Sequence, residues 1–470
     1  MLPATHPLDR PNRTSAKIGR ALAALAIPCA IACAAPLQAA DSAGEPAHSV
    51  TVNGSHRSRY ERLDPQYRAG LGGSDAVLAL QTNVMLTAAR GRLSFVGEIT
   101  DARAEWNNTD SFFTGVVNTL EPVQTFVAWR LDGALQAGSE SSLRVGRMTV
   151  DLGKRRLLAR STFRHVFATF TGADWQWRGT AGNRARALYL APMRIQPTAG
   201  AELLANEQEL DRAARYTALY GGYYLFAPWT ERSQLELSFL KFNSSRGPGE
   251  GAGPLDIDTL AARLFRPVAR SGLNYELELG VQRGESTASA APAAPLLAHR
   301  AYYAHAELGY AFDVPWQPNL LLQYDRASGD ADPTDTENER FNPLFGERRF
   351  DTGPTGIYGP FQRSNIATPG LRLTFNPAPR WRNMLAYRDF RLAAKRDAWV
   401  GSGFRDSTGQ AGGSLGRQLE GSFTYTAIPE RLSIETGFAY VHSGRYAERL
   451  AGAAFRGNPR YVYAAITTNF

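Results

Sequence analysis

The chain has 470 residues, with 52 Lys and Arg against 44 Asp and Glu, seven His and two Cys, and a formal charge of +8 at neutral pH. Length sets no domain count, because barrels of this size form as one domain. The positive excess is small and interleaved with apolar residues; it does not form a solvated basic block, which excludes a nucleic-acid arm of the usual kind.

Arg10, Arg13, Lys17 and Arg20 precede an apolar run over 21–35, and Leu37 and Ala39 are spaced for signal-peptidase cleavage. Residues 1–39 are therefore expected to be a secretory signal peptide, with 40–470 a single mature domain. Its removal takes away both Cys29 and Cys33 and lowers the formal charge to +5. Lipoprotein processing at Ala32-Cys33 is the alternative to Cys33 as apolar filler. Beyond it no window approaches the roughly 18 apolar residues of a membrane helix. The mature chain is then either soluble outside the cytoplasm or a β-barrel.

From Ser49 onward the chain breaks into segments with period-two alternation, centred on 49–61, 76–89, 92–103, 120–131, 142–150, 172–178, 185–196, 215–227, 233–243, 256–266, 272–283, 300–311, 318–328, 368–376, 380–391, 416–427, 431–442 and 460–470. The length and alternation are those of tilted membrane strands. Tight links such as Arg90-Gly91 and Ile428-Pro429-Glu430 alternate with long ones such as 104–119, 197–214, 329–367 and 392–415. Asp132–Ser141 is the one link long for its rim. This predicts an all-β, transmembrane, antiparallel up-and-down barrel of about 18 strands, with both termini in the periplasm and the long links outside, open to protease. Trp129, Trp175, Trp177, Trp229, Trp381, Tyr387, Tyr425 and Tyr440 near strand ends suit aromatic girdles. The last strand ends on Phe470, the form barrel-assembly machinery recognises. Outer-membrane lipid and lipopolysaccharide are the expected surroundings, around a monomeric barrel that binds no nucleic acid.

Parity assigns the lumen. With Val50 and Val52 outward, Asn53, Arg57 and Arg59 face in; Gln81, Asn83, Glu98, Arg144, Asp174, Arg372, Arg382 and Arg388 follow on later strands. Arg147 would face lipid unless a bulge at Gly146 turned it inward. The densest basic stretch is Ser142 to Arg178, which holds eight Lys or Arg against Asp151 and Asp174. Within it Lys154, Arg155, Arg156, Arg160 and Arg164 are interleaved with Leu157, Leu158 and Phe163, which points to a connection folded into the pore. An arginine-lined lumen attracts anions, since guanidinium stays charged and grips a carboxylate with two parallel hydrogen bonds. The bland alternative is a polar lumen whose Arg and Glu satisfy one another.

These residues resemble the alginate export outer-membrane porins. The likeness runs through RSRYERLD at 57–64, LRVGRMTVDLGKRRLLARSTFR at 143–164 with the following FTGADWQW, SGDADPTDTENERFNPLFG at 328–346 and GPTGIYGPFQRSNIATPGLRL at 353–373. The resemblance implies an 18-stranded barrel that passes an anionic, uronate-rich polysaccharide, with a periplasmic export scaffold as partner. Its arginine constriction maps onto Arg59, Arg144, Arg147, Arg156, Arg160, Arg164 and the acidic Asp174. Many members carry arginines on the second strand, where this chain has Gln81 and Asn83.

No cofactor is expected. Asp330, Asp332, Asp335, Glu337 and Glu339 offer oxygens for Ca²⁺, but Pro333 interrupts them and the register of a calcium loop is missing, so a solvated acidic loop is the plainer reading. Among other functions, a barrel enzyme would need a base beside a nucleophile, and none of the six histidines after the signal peptide lies in such a motif. A TonB-dependent transporter would need a plug domain before the first strand. A small-anion or general diffusion porin for uptake remains the rival on the same fold.

Overall fold

The computed structural model describes residues 48–105, 115–228, 230, 232–245, 253–287, 294–450 and 457–470. The expected signal peptide, both cysteines and Trp229 lie outside the described residues. Eighteen strands build the wall: β1 (His48–Asp64), β2 (Asp75–Arg90), β3 (Leu93–Glu105), β4 (Asn118–Arg130), β5 (Glu140–Met148), β6 (Phe170–Arg178), β7 (Arg184–Arg194), β8 (Thr217–Leu225) and β9 (Gln234–Ser244). The second half holds β10 (Leu255–Arg266), β11 (Gly272–Thr287), β12 (Leu296–Ala311), β13 (Asn319–Ala327), β14 (Ile366–Phe375), β15 (Trp381–Arg391), β16 (Ser414–Ile428), β17 (Leu432–Ser443) and β18 (Arg460–Asn469). Each pairs antiparallel with the next, and β18 returns to β1 over Ser55↔Asn469 to Asp64↔Arg460. Phe470 completes the seam: its backbone exchanges both hydrogen bonds with Gly54, at 2.8 and 3.0 Å. Closure leaves no open edge, the condition for a sheet to cross a bilayer.

Alternation decides which face meets lipid. Val50, Val52, Phe95, Phe239, Leu371 and Ile434 are exposed on the outside, while Arg59, Glu61, Gln81, Glu98, Asp174 and Arg388, at the alternate positions, are buried. Trp381 stacks beside its cross-strand partner Tyr425, ring centroids 5.0 Å apart, next to a short turn where a girdle belongs. The link 131–139 folds back as an extension of its hairpin, with the Leu131 and Gly133 amides donating to Ser141 and Ser139 at 2.8 Å each.

Two expectations need correction. The long link after β13 does not stand outside: residues 351–361 are buried without exception. Its aromatic residues find apolar partners on the inner wall, Tyr358 stacking on Tyr461 of β18 at 4.9 Å and Phe361 on Phe390 of β15 at 3.6 Å. The link after β15 is covered at Trp399, which donates to Pro360 O at 2.8 Å, and exposed at Arg405, Ser407 and Thr408.

The second correction concerns Gly146, where no bulge forms. The ladders run through Phe126↔Gly146↔Gly172 and Thr125↔Arg147↔Thr171 without a shift, and the irregularity lies between β3 and β4, at Glu98/Ile99 and Thr100/Ala102. Gly146 is needed for another reason: its φ is +134°, and a Cβ there would sit 2.4 Å from Thr125 O. Arg147 thus keeps the side of the exposed Thr125 and Thr171. Its guanidinium is taken up at the rim by Glu121, by Asp211 at 2.8 Å and by Thr169 at 3.0 Å, so two carboxylates meet its charge.

Candidate functional site

The connection 149–169, between β5 and β6, crosses the lumen. At one end the Gly153 backbone lies beside Glu236 of β9, and Arg156 reaches Glu276 and Glu278 of β11. At the other end Arg57 of β1 donates to Thr162 O and Arg164 O at 2.8 and 2.9 Å, Arg59 to Phe163 O at 2.6 Å, and Gln81 of β2 to His165 O at 2.5 Å. Arg160 is bidentate on Glu98 of β3 at 2.8 and 2.5 Å and lies over the Phe167 ring. Inward side chains on opposite walls thus hold one loop, which places the basic stretch inside the pore.

The connection 328–365 meets it there. Leu158 and Phe345 form a parallel bridge, and the Glu347 amide donates to Arg155 O at 2.8 Å. Contact is so close that a Cβ on Gly346 would fall 1.8 Å from Arg156 O, which is why the crossing carries glycine. Phe345 packs edge-on to Phe170 and Phe242, and Leu157, Leu158, Phe341 and Ile357 are buried with it. The two loops form an apolar septum across part of the barrel.

Around the septum the arginines divide into two populations. Against β9 to β13 they sit in carboxylate cages. Arg156, with its side chain 1% exposed, is surrounded by Glu276, Glu278 and Asp351; Arg263 bridges Glu236 and Glu276 at 2.6 and 2.9 Å; Arg388 binds Asp325 at 2.9 Å and Gln323 at 2.8 Å. Burial opposes the charge on Asp351, but Arg156 and Arg363 outweigh it and hold that carboxyl well below the usual range. In the same cage His305, Glu307 and Asp351 bring ligand atoms within 4.8 Å of one another. The carboxylates of the acidic segment are dispersed: Asp332 pairs with Arg396 at 3.2 Å, Glu337 with Arg300 at 2.8 Å, and Glu339 accepts the Ala331 amide at 3.1 Å.

Against β14 to β18 and β1, a cavity of about 600 Å³ is lined by Arg57, Arg59, Arg349, Arg372 and Arg382, with Glu347 and Glu435 as its acids. Here guanidinium groups mostly meet carbonyls and rings. Arg372 donates to Phe350 O, Arg59 lies 4.2 Å over Phe163 besides pairing with Glu61, and Arg349 lies 5.0 Å from the same ring. Nε of Arg57 and Nε of Arg372 are buried with no hydrogen-bond partner among the described residues. Nearby Arg348 is buried with Arg164 as its like-charged neighbour; burial first, then that charge, pulls its guanidinium down to about 9. A second cavity of about 940 Å³, beside β3 to β10, is balanced, with Arg130, Arg178, Arg184 and Arg186 facing Asp132, Glu140, Asp151 and Glu236.

Of the residues singled out from sequence, Arg57, Arg59 and Arg372 come together at the basic cavity. Arg144 pairs with Asp174, which also binds Arg186 at 2.6 Å, on the far wall. Arg155 reaches Glu347 at 3.4 Å, Arg164 contributes its carbonyl to Arg57, and Arg156, Arg160 and Arg388 are held by acids. Arg349 was not legible as a site residue, because it lies in a link with no strand parity; the GERRF run at 346–350 is its one signal.

A family model described as alginate export matches residues 49–454. No curated protein matches by sequence. Among solved structures, Acinetobacter baumannii OccAB2 is similar at 14% identity with a TM-score of 0.57, covering 90% of this chain and 98% of its own. Pseudomonas aeruginosa OccK5 (OpdH) is similar at 12% identity and 0.54, covering 90% and 98%. Pseudomonas aeruginosa OpdK, solved with vanillate, is similar at 14% and 0.54, covering 89% and 98%. At these identities the likeness is one of fold, that of Gram-negative outer-membrane porins.

Proposed function

The chain belongs to the alginate export family and is an outer-membrane porin of a Gram-negative bacterium, and from that premise we propose that it passively conducts an anionic, uronate-rich saccharide outward past the septum, along the wall from β14 to β1. The observation that carries this reading is the cavity with five arginines and two glutamates, two of whose guanidinium nitrogens are buried without partners. A carboxylate there gains charge-assisted hydrogen bonds that the protein leaves open. Carbonyls share the same guanidinium groups, so no single grip is strong, as conduction requires. Catalysis is not part of this reading, since the acids and bases of the lumen hold one another.

A second reading, uptake of small carboxylates, is supported by the septum, which narrows the lumen, and by the fold shared with OpdK, solved with vanillate. Planar bilayers separate the two. The purified barrel should be anion-selective, and oligouronates should block it more strongly as they lengthen from two sugars to about ten. Equal block by vanillate and by a long oligouronate would favour small-anion uptake, and cation selectivity would sink both.

A further inference from the structure

The outer face carries a basic collar that conduction does not use. Outward positions alternate along each strand, and towards the long-loop rim an arginine stands directly beyond the last lipid-facing side chain: Arg283 beyond Val281, Arg300 beyond Tyr302, Arg326 beyond Tyr324, Arg417 beyond Leu419, Arg460 beyond Val462, and Arg391 two outward places beyond Tyr387. Those tyrosines mark the aromatic belt, where hydrocarbon gives way to headgroups. One outward step along a strand is roughly 7 Å, so the arginines stand at headgroup depth.

The collar is short of anions. Arg283 and Arg300 are direct partners in the β11–β12 ladder, a like-charge juxtaposition that costs stability unless an anion lies between. The collar deepens between β15, β16 and the loops above them. There a cavity of about 360 Å³ is lined by Arg391, Lys395, Arg417 and Arg445 with one acid, Asp389. Asp389 is shared by Arg391 at 3.0 Å and Arg417 at 3.6 Å, so the cations outnumber the carboxylate that serves them. All four basic side chains are exposed.

We infer that this cavity is a binding site for the lipid A phosphates of lipopolysaccharide in the outer leaflet. A phosphate offers the oxygens that two forked guanidinium groups and an ammonium can share, and its acyl chains would lie along the exposed Tyr387 and Leu419 below. The site is remote from the lumen and does not depend on what the pore conducts.

The test is native mass spectrometry of the detergent-purified protein, titrated with bisphosphoryl lipid A and with the same lipid dephosphorylated. The bisphosphoryl form should bind at least about tenfold more tightly. The triple variant Arg391→Gln, Arg417→Gln, Arg445→Gln should bind both forms alike, with unchanged single-channel conductance showing that the barrel is intact. Equal binding of the two lipids by the unsubstituted protein overturns the inference without recourse to the variant. So does displacement of the lipid by equimolar inorganic phosphate, which marks a free-anion site, or by oligouronate, which marks a saccharide site.

Discussion

The two halves of the lumen treat the same side chain in opposite ways. From β9 to β13 every inward arginine named above has carboxylates around it: Arg156 has three, Arg263 two and Arg388 one. From β14 round to β1, Arg57 and Arg372 donate to backbone carbonyls, and Arg349 rests on a ring with Glu420 3.7 Å away. Carbonyls satisfy a donor without cancelling its charge. One half is therefore a buried ionic lattice that anchors the septum, and the other keeps a positive field in an open cavity. Arginine density alone does not mark an anion path; the neighbours of each guanidinium decide.

The division can be broken most severely at Arg156. Arg156→Met should cost about 3–5 kcal/mol, because Glu276, Glu278 and Asp351 would be left as uncompensated buried charges. It should appear as a lowered unfolding midpoint in detergent, and an unchanged midpoint would mean that the cage is not structural. On the opposite wall, His165 tests the shortage of spare acids. Burial, then neighbouring Arg59, pulls its pKa from 6.5 to about 3, although Glu61 opposes the shift. Its pKa is lower folded than unfolded, so the unfolded chain binds the extra proton as pH drops below 6.5. Stability should then fall by about 1.4 kcal/mol per pH unit until about pH 3. Comparing unfolding midpoints of the unsubstituted protein and His165→Asn between about pH 6 and 4 isolates this contribution; identical slopes would refute it.

The join between the halves is Gly346. Gly346→Ala should cost roughly 1–3 kcal/mol through the clash with Arg156 O and part the two loops, raising single-channel conductance. Conductance at the unsubstituted level would show that the septum tolerates the methyl. The mildest change for the fold is Arg372→Glu with Arg382→Glu in the basic cavity. It should move the reversal potential towards cations and weaken oligouronate block about tenfold, near 1.4 kcal/mol. The same reversal at Arg184 and Arg186, in the balanced cavity, should alter block less; an equal effect would erase the distinction between the halves.

Much of the wall was legible because its code is local. The eighteen segments, the Phe470 seam and the inward parity of Arg59, Arg144, Arg372 and Arg388 all follow from alternation, since a strand forces successive side chains to opposite faces. Arg147 was misjudged because its partners Glu121 and Asp211 are distant in sequence, and their charge made a bulge at Gly146 unnecessary. The link 328–365 was misplaced outside because loop length says nothing about direction.

What the sequence determined by itself is the class of object: a closed, lipid-facing sheet with a basic stretch at 142–178. Period-two alternation and link lengths are properties of neighbouring residues, so they survive without coordinates. Which arginines keep their charge available was decided only in the tertiary structure. That choice depends on whether a carboxylate from a strand on the far wall, such as Glu276 for Arg156, or a carbonyl from a crossing loop, such as Thr162 for Arg57, arrives within hydrogen-bond distance. Such encounters span more than a hundred residues of chain and are set by how the two loops pack inside the closed wall.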